Sequence, residues 1–152
     1  MSESSSPPVN PRWAQMRWAW PLFALALFVR LISAVSEDAY LHPDALWQGL
    51  EPAAGVVWGR FEASWEFEQG ARSWLWPGLL ALPMFVTKSL GLAGPGAGMG
   101  AAVLSARVLV ALIDVATLAL LTRFVLRHHG AMAAGAVGFV LALHPAFLVM
   151  GA

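Results

Sequence analysis

Apolar positions in this chain fall in long continuous runs, not in the short alternating stretches of a water-exposed fold. Residues 19–36 and 101–126 are almost wholly apolar, and at roughly 1.5 Å per helical residue each is long enough for a hydrocarbon core of about 30 Å. Both are predicted as transmembrane helices, and 130–152 as the start of a further one. Ahead of them, residues 1–18 open with the Ser- and Pro-rich MSESSSPPVNP, which offers nothing to pack. They end in Arg12, Trp13, Arg17 and Trp18, the basic and indole side chains of an inner membrane boundary, so this tail is placed in the cytoplasm. Between the two spans lie a polar stretch, 37–76, and an apolar one, 77–100, punctuated by Pro77, Pro83 and Gly91 and ending in a Gly-rich link.

Composition agrees with the runs. The chain is 59% apolar and 12% charged, with a mean hydropathy of +0.65, values of an all-α integral membrane protein and not of a soluble globule. Eight arginines against one lysine, with abundant Ala and Gly, point to a GC-rich bacterial genome and so to an inner membrane, or to the endoplasmic reticulum membrane in a eukaryote. The absence of cysteine removes disulfides and thiolate metal sites. No broad basic surface is available for nucleic acid.

Charge sets the topology. Basic residues gather near Arg12 and Arg17 and again at Arg123, Arg127, His128 and His129. If both clusters face the cytoplasm, the chain crosses an even number of times between them. The two spans already supply that number, so residues 75–92 are expected to dip in and return, or to lie beside the membrane, leaving 37–76 extracytoplasmic. Arg30, inside the first run, argues for a retained helix over a cleaved signal, and is expected to snorkel or to meet a headgroup, a phosphate or an acid at the far interface. Asp114 sits mid-span, with Arg107, two turns earlier, or a residue of the remaining part of the protein as its partner. The chain closes on HPAFLVMGA inside an apolar run, which reads as the N-terminal part of a longer protein.

The polar stretch is where chemistry is expected. Seven of the nine acids lie between Glu37 and Glu68, and five of the eight tryptophans between Trp47 and Trp76. His42, Pro43 and Asp44 make a helix start, with proline preorganised for the first turn and an acid at the positive dipole end. A helix over Pro43–Val57 would place Asp44, Trp47, Gln48 and Glu51 on one face and Leu46, Leu50, Val57 and Trp58 on an apolar side suited to a membrane interface. Trp65, Glu66 and Arg72 follow, as a local ion pair and interfacial indoles or as parts of a site. No P-loop, dinucleotide fingerprint, nucleophile elbow or metal-ligand spacing occurs, so no metal site or cofactor is expected, with dependence on a divalent ion left open.

Taken together, His42-Pro43-Asp44, Gln48, Leu50-Glu51-Pro52-Ala53, Gly59, Ser64-Trp65-Glu66 and Arg72-Ser73-Trp74 resemble the first luminal loop of the family 22 glycosyltransferases, the dolichol-pathway and GPI-anchor mannosyltransferases of the GT-C superfamily. That loop reads HPDE, then Q..EPAH, then G, then TWEW, then RSWL.P. This chain departs from it at Ala45, Ala54, Ser64 and Phe67. Ala45 removes the second carboxylate, leaving Asp44 alone, Glu51, or the pair Glu37 and Asp38 to supply a base. The resemblance implies a GT-C-type multi-span helical bundle, here its N-terminal fragment, with an amphipathic helix in the first extracytoplasmic loop. It also implies transfer of a sugar, commonly mannose, from a polyprenyl- or dolichyl-phosphate sugar to a hydroxyl of a glycan or lipid acceptor, with inversion. Asp44 would be the general base, and His42, Gln48, Glu51, Trp65, Glu66 and Arg72 would contact substrate. Beside the enzyme stand a non-catalytic scaffold or lipid-binding subunit, a transporter fragment lined by Arg30, Arg107 and Asp114, and an inactive truncated fragment.

Overall fold

The computed structural model describes residues 17–36, 46–59 and 64–144. In chain order they form helix α1 (Ala19–Ser36), a π-helical turn (Leu46–Leu50) running into α2 (Glu51–Trp58), the single turn α3 (Trp65–Glu68), α4 (Leu75–Ser89) and α5 (Gly100–Leu143). Among the described residues there is no strand.

Helix α5 is two arms joined at Gly130, whose φ of 84° and ψ of 177° lie where a side chain is not tolerated. There the chain folds back. A Cβ on Gly138 would sit 3.1 Å from Thr122 Oγ1, so residues 131–143 run back beside the part of the first arm that holds Leu118 and Thr122. Helix α1 joins them through Trp18 on Gly135 and Leu22 on Gly138, and Phe23, Ala26, Leu118 and Ala142 fill the core between the three. Small residues at the crossings let the backbones approach, as in helix pairs packed without a water-driven force. The start of α1 and the Gly130 turn therefore share one end of the fold, which gathers Arg17, Arg123, Arg127, His128 and His129.

A second core lies at the opposite end of the first arm. Ala102, Ala106 and Val110 meet Leu80, Ala81 and Met84 of α4 and Ala53 and Val57 of α2. Residues 75–89 thus form one continuous helix along α5, and the dip and return expected within 75–92 is not made. Pro77 falls in the first turn, where its missing N–H costs nothing, and Pro83 gives up a single internal hydrogen bond without ending the helix. Its 15 residues measure about 22 Å at roughly 1.5 Å each. The apolar side of α2, expected to lie on lipid, packs on α4 through Leu50, Val57 and Trp58.

Exposed apolar side chains run along the outside. Trp20, Phe28 and Val35 of α1, Leu82 and Phe85 of α4, and Leu120, Phe124 and Phe139 of α5 are all bare, which water does not tolerate over so large an area. Helix α5 is long and apolar enough to cross a membrane.

Where water is absent, the last carbonyls of a helix need another donor, and here basic side chains from neighbouring helices supply it. Arg107 Nη1 donates to Ala34 O near the end of α1 at 3.3 Å, and Lys88 Nζ to Val57 O near the end of α2 at 2.5 Å. Arg30 does the same for α5, donating from Nη1 to Ala142 O at 3.2 Å and from Nη2 to Leu141 O at 3.4 Å. A positive charge also suits the negative end of each helix dipole. The expectation that Arg30 snorkels is corrected: it is only 1% exposed. Its Nε lies 3.6 Å from Asp114 Oδ2, so Arg30, and not Arg107, is the partner of the mid-span acid.

Candidate functional site

The acid- and tryptophan-rich stretch is folded onto α4. Glu51 and Pro52 open α2 with an acid and a proline in the first turn, where both are favourable. The helix stops at Gly59, whose φ of 75° allows a left-handed cap and whose N–H returns to Gly55 O at 2.7 Å. Lys88 holds the same end, its ammonium 5.6 Å from the centre of the Trp58 ring. At the other end, Gly49 is buried so closely that a Cβ there would stand 3.3 Å from Leu80 Cδ1 and 3.5 Å from Trp76 Nε1.

Gln48 and Glu51, both half-buried, bracket the junction between the π-helical turn and α2. A π turn takes in an extra residue, so the single α-helical face expected from Asp44 through Gln48 to Glu51 does not continue unbroken across 46–50. His42 and Asp44, together with Ala45, Glu37 and Asp38, lie outside the described residues.

Residues 64–75 close into a small unit of their own. After the turn of α3, Ala71 and Arg72 both donate their N–H to Glu66 O, at 2.8 and 3.2 Å, which folds the chain back on itself. The Arg72 guanidinium then meets the Glu66 carboxylate, Nε to Oε2 at 2.6 Å and Nη2 to Oε1 at 3.5 Å. Phe67 is buried against the Trp74 ring at 4.8 Å between centres, and Ser73 Oγ accepts the Leu75 N–H at the head of α4. Arg72 is 42% exposed, so this pair is worth little stability, roughly 0–1 kcal/mol. Its effect is one of position, since it fixes Glu66 and leaves Trp65 standing outward, 62% exposed.

Of the residues read as candidates, the structure brings Glu66 and Arg72 into direct contact and sets Gln48 and Glu51 about one turn apart on neighbouring elements. Reasoning from the sequence missed two residues that shape the loop. Lys88 carried a signal, a lone base in the last turn of an apolar helix, whereas Trp76 against Gly49 had none. Among the described residues, no group of three or more His, Asp or Glu side chains could hold a metal ion.

Fold and loop define a helical protein with a membrane-length apolar helix at whose far end an acidic, tryptophan-rich loop is held in place. The profile of the Alg9-like mannosyltransferase family matches residues 21–150, and the chain belongs to that family. It is 36% identical over 72 residues to "GPI mannosyltransferase 3" of Trypanosoma brucei brucei, a match covering 47% of this chain and 13% of that protein. With "GPI mannosyltransferase 3" of Drosophila melanogaster the identity is 42% over 60 residues, 40% of this chain and 11% of the other. With "Mannosyltransferase APTG1" of Arabidopsis thaliana it is 34% over 74 residues, 49% and 14%. The match thus spans between a tenth and a seventh of each relative's length. No solved structure gives a significant match.

Proposed function

We propose that this chain is part of a membrane mannosyltransferase that moves mannose from a polyprenyl-phosphate mannose to a hydroxyl of a glycan or lipid acceptor. The family match over residues 21–150, which takes in the whole acidic loop, carries this reading. The relatives' names supply mannose as the sugar and a GPI glycolipid as the acceptor in those proteins.

In the reaction, the acceptor oxygen attacks the anomeric carbon from the side opposite the phosphate, so that one C–O bond forms as the other breaks and the configuration inverts. An alcohol is a weak nucleophile, and Asp44 takes its proton as the bond forms. The leaving polyprenyl phosphate needs a cation. Arg72 can serve if the phosphate competes with Glu66 for its exposed guanidinium. Gln48 and Glu51 orient the acceptor, and Trp65 offers an indole face to a sugar ring. His42, two positions before Asp44 in the sequence, contacts the substrate in this reading.

This reading places α1 and both arms of α5 in the membrane as parts of a multi-span GT-C bundle, with the basic end in the cytoplasm and the loop outside, its 46–58 helix amphipathic. In otherwise cysteine-free protein, Ser4→Cys, Gln69→Cys and His129→Cys variants are to be treated with an impermeant thiol reagent. Only position 69 should label from the extracytoplasmic face; labelling of 129 from that face would invert the topology.

The activity itself is tested with the full-length protein in proteoliposomes supplied with polyprenyl-phosphate mannose and acceptor. Free polyprenyl phosphate should appear in step with mannosylated acceptor. Passage of the donor across the bilayer without turnover would instead support a transporter, and neither event would support a scaffold.

A further inference from the structure

Arg30 has five N–H groups, and the hydrogen bonds of the described residues engage three of them. Nη1 donates to Ala26 O and Ala142 O, both at 3.2 Å, and Nη2 to Leu141 O at 3.4 Å. Two of these acceptors lie in the last turn of α5, and residue 145, whose N–H would ordinarily return to Leu141 O, is proline. The guanidinium is therefore committed to capping. What remains is the second Nη2–H and Nε–H, whose nitrogen lies nearest Asp114 Oδ2.

That separation, 3.6 Å, is an ion-pair distance but too long for an N–H···O hydrogen bond. Both atoms are buried, and neither has a hydrogen-bond partner among the described residues. Charged groups buried in this condition are costly, more so in an apolar layer. Beside them is a cleft of about 20 Å³ lined by Arg30, Asp114, Thr117, Leu118, Leu121 and Leu141. One water needs roughly 10–15 Å³ of such space and typically makes about three hydrogen bonds.

We propose that the cleft between α1 and the two arms of α5, open on the side of Thr117 and Leu121, is a hydration site that binds one water molecule. The water accepts from Arg30 Nε–H and donates to Asp114 Oδ2 and to Thr117 Oγ1. The Thr117 hydroxyl hydrogen is already given to Ile113 O at 2.9 Å, so its oxygen is free to accept. Size and charge select water. The space is too small for a sugar, a phosphate or a headgroup, and the opposed charges of Arg30 and Asp114 leave no net attraction for an ion. The site lets Arg30 keep its hydrogen bonds to carbonyls while its Nε–H, and the facing carboxylate oxygen, are satisfied.

The test is X-ray hydroxyl-radical footprinting of the full-length protein in nanodiscs, where bound water is the local source of radicals. Leu118 and Leu141 should be oxidised several-fold faster than Leu25 and Leu120, which face outward away from the cleft. Thr117→Val, which removes one water contact and leaves the ion pair in place, should lower that oxidation several-fold without moving the melting temperature. Oxidation of Leu118 and Leu141 no faster than that of Leu25 and Leu120, or unchanged in the folded Thr117→Val protein, would overturn the assignment.

Discussion

Arg30→Leu is expected to destabilise the full-length protein by roughly 3–5 kcal/mol, the cost of removing one partner from a buried ion pair. Two effects add in the same direction. Asp114 loses its nearest cation, and the Leu141 and Ala142 carbonyls lose their donor at a helix end where Pro145 has no N–H to return to Leu141 O. Unfolding in mixed micelles by a denaturing detergent, followed by circular dichroism, gives the difference directly. Arg30→Lys should fall between, since an ammonium has fewer donors and a shorter reach. The double variant Arg30→Leu, Asp114→Leu should be more stable than the sum of the single losses predicts, because it strands no charge. A snorkelling arginine makes the opposite forecast: leucine would then be neutral or stabilising in an apolar span.

The same residue shows what the sequence could and could not disclose. Runs of apolar residues fix where helices form because length alone decides the matter, and α1 and the first arm of α5 were legible on that ground. Arg30 was visibly costly, yet its partners are Asp114 and two carbonyls more than a hundred residues away. No periodicity encodes such a contact. The dip and return comes from counting crossings between basic clusters, with Pro77 and Pro83 compatible with it; in the structure one sits in a first turn and the other is carried by packing of Leu80, Ala81 and Met84 on α5.

In the loop, the ion pair between Glu66 and Arg72 could be read from proximity, and the structure adds the backbone fold that makes it. The π-helical turn at Leu46–Leu50 could not, because five residues do not separate a π spacing from an α spacing. Nor could the side that α2 buries. Leu50, Val57 and Trp58 are as suited to lipid as to α4, and only the position of α4 decides.

Asp44→Asn in the full-length protein is expected to reduce mannose transfer by roughly 10²-fold or more, the usual loss when a general base is removed. Asparagine keeps the size and polarity of the side chain but cannot take the acceptor proton. Glu51→Gln should cost less if Glu51 only orients Asp44 or the acceptor, and Glu37→Gln least if Glu37 is merely interfacial. Ala45 removes the carboxylate that follows the aspartate in the family motif, so Glu51 and the pair Glu37 and Asp38 are the acids to compare with Asp44. If the acids are merely solvated, losing one at a helix start changes stability by about 0.3–1 kcal/mol and leaves turnover per folded molecule intact. The decisive measurement is the initial rate of transfer from polyprenyl-phosphate mannose for the wild type, Asp44→Asn, Glu51→Gln and Glu37→Gln, each normalised to folded protein. The account predicts a collapse for Asp44→Asn with Glu37→Gln nearly unaffected; normal turnover for Asp44→Asn, with or without a loss at Glu37, would contradict it.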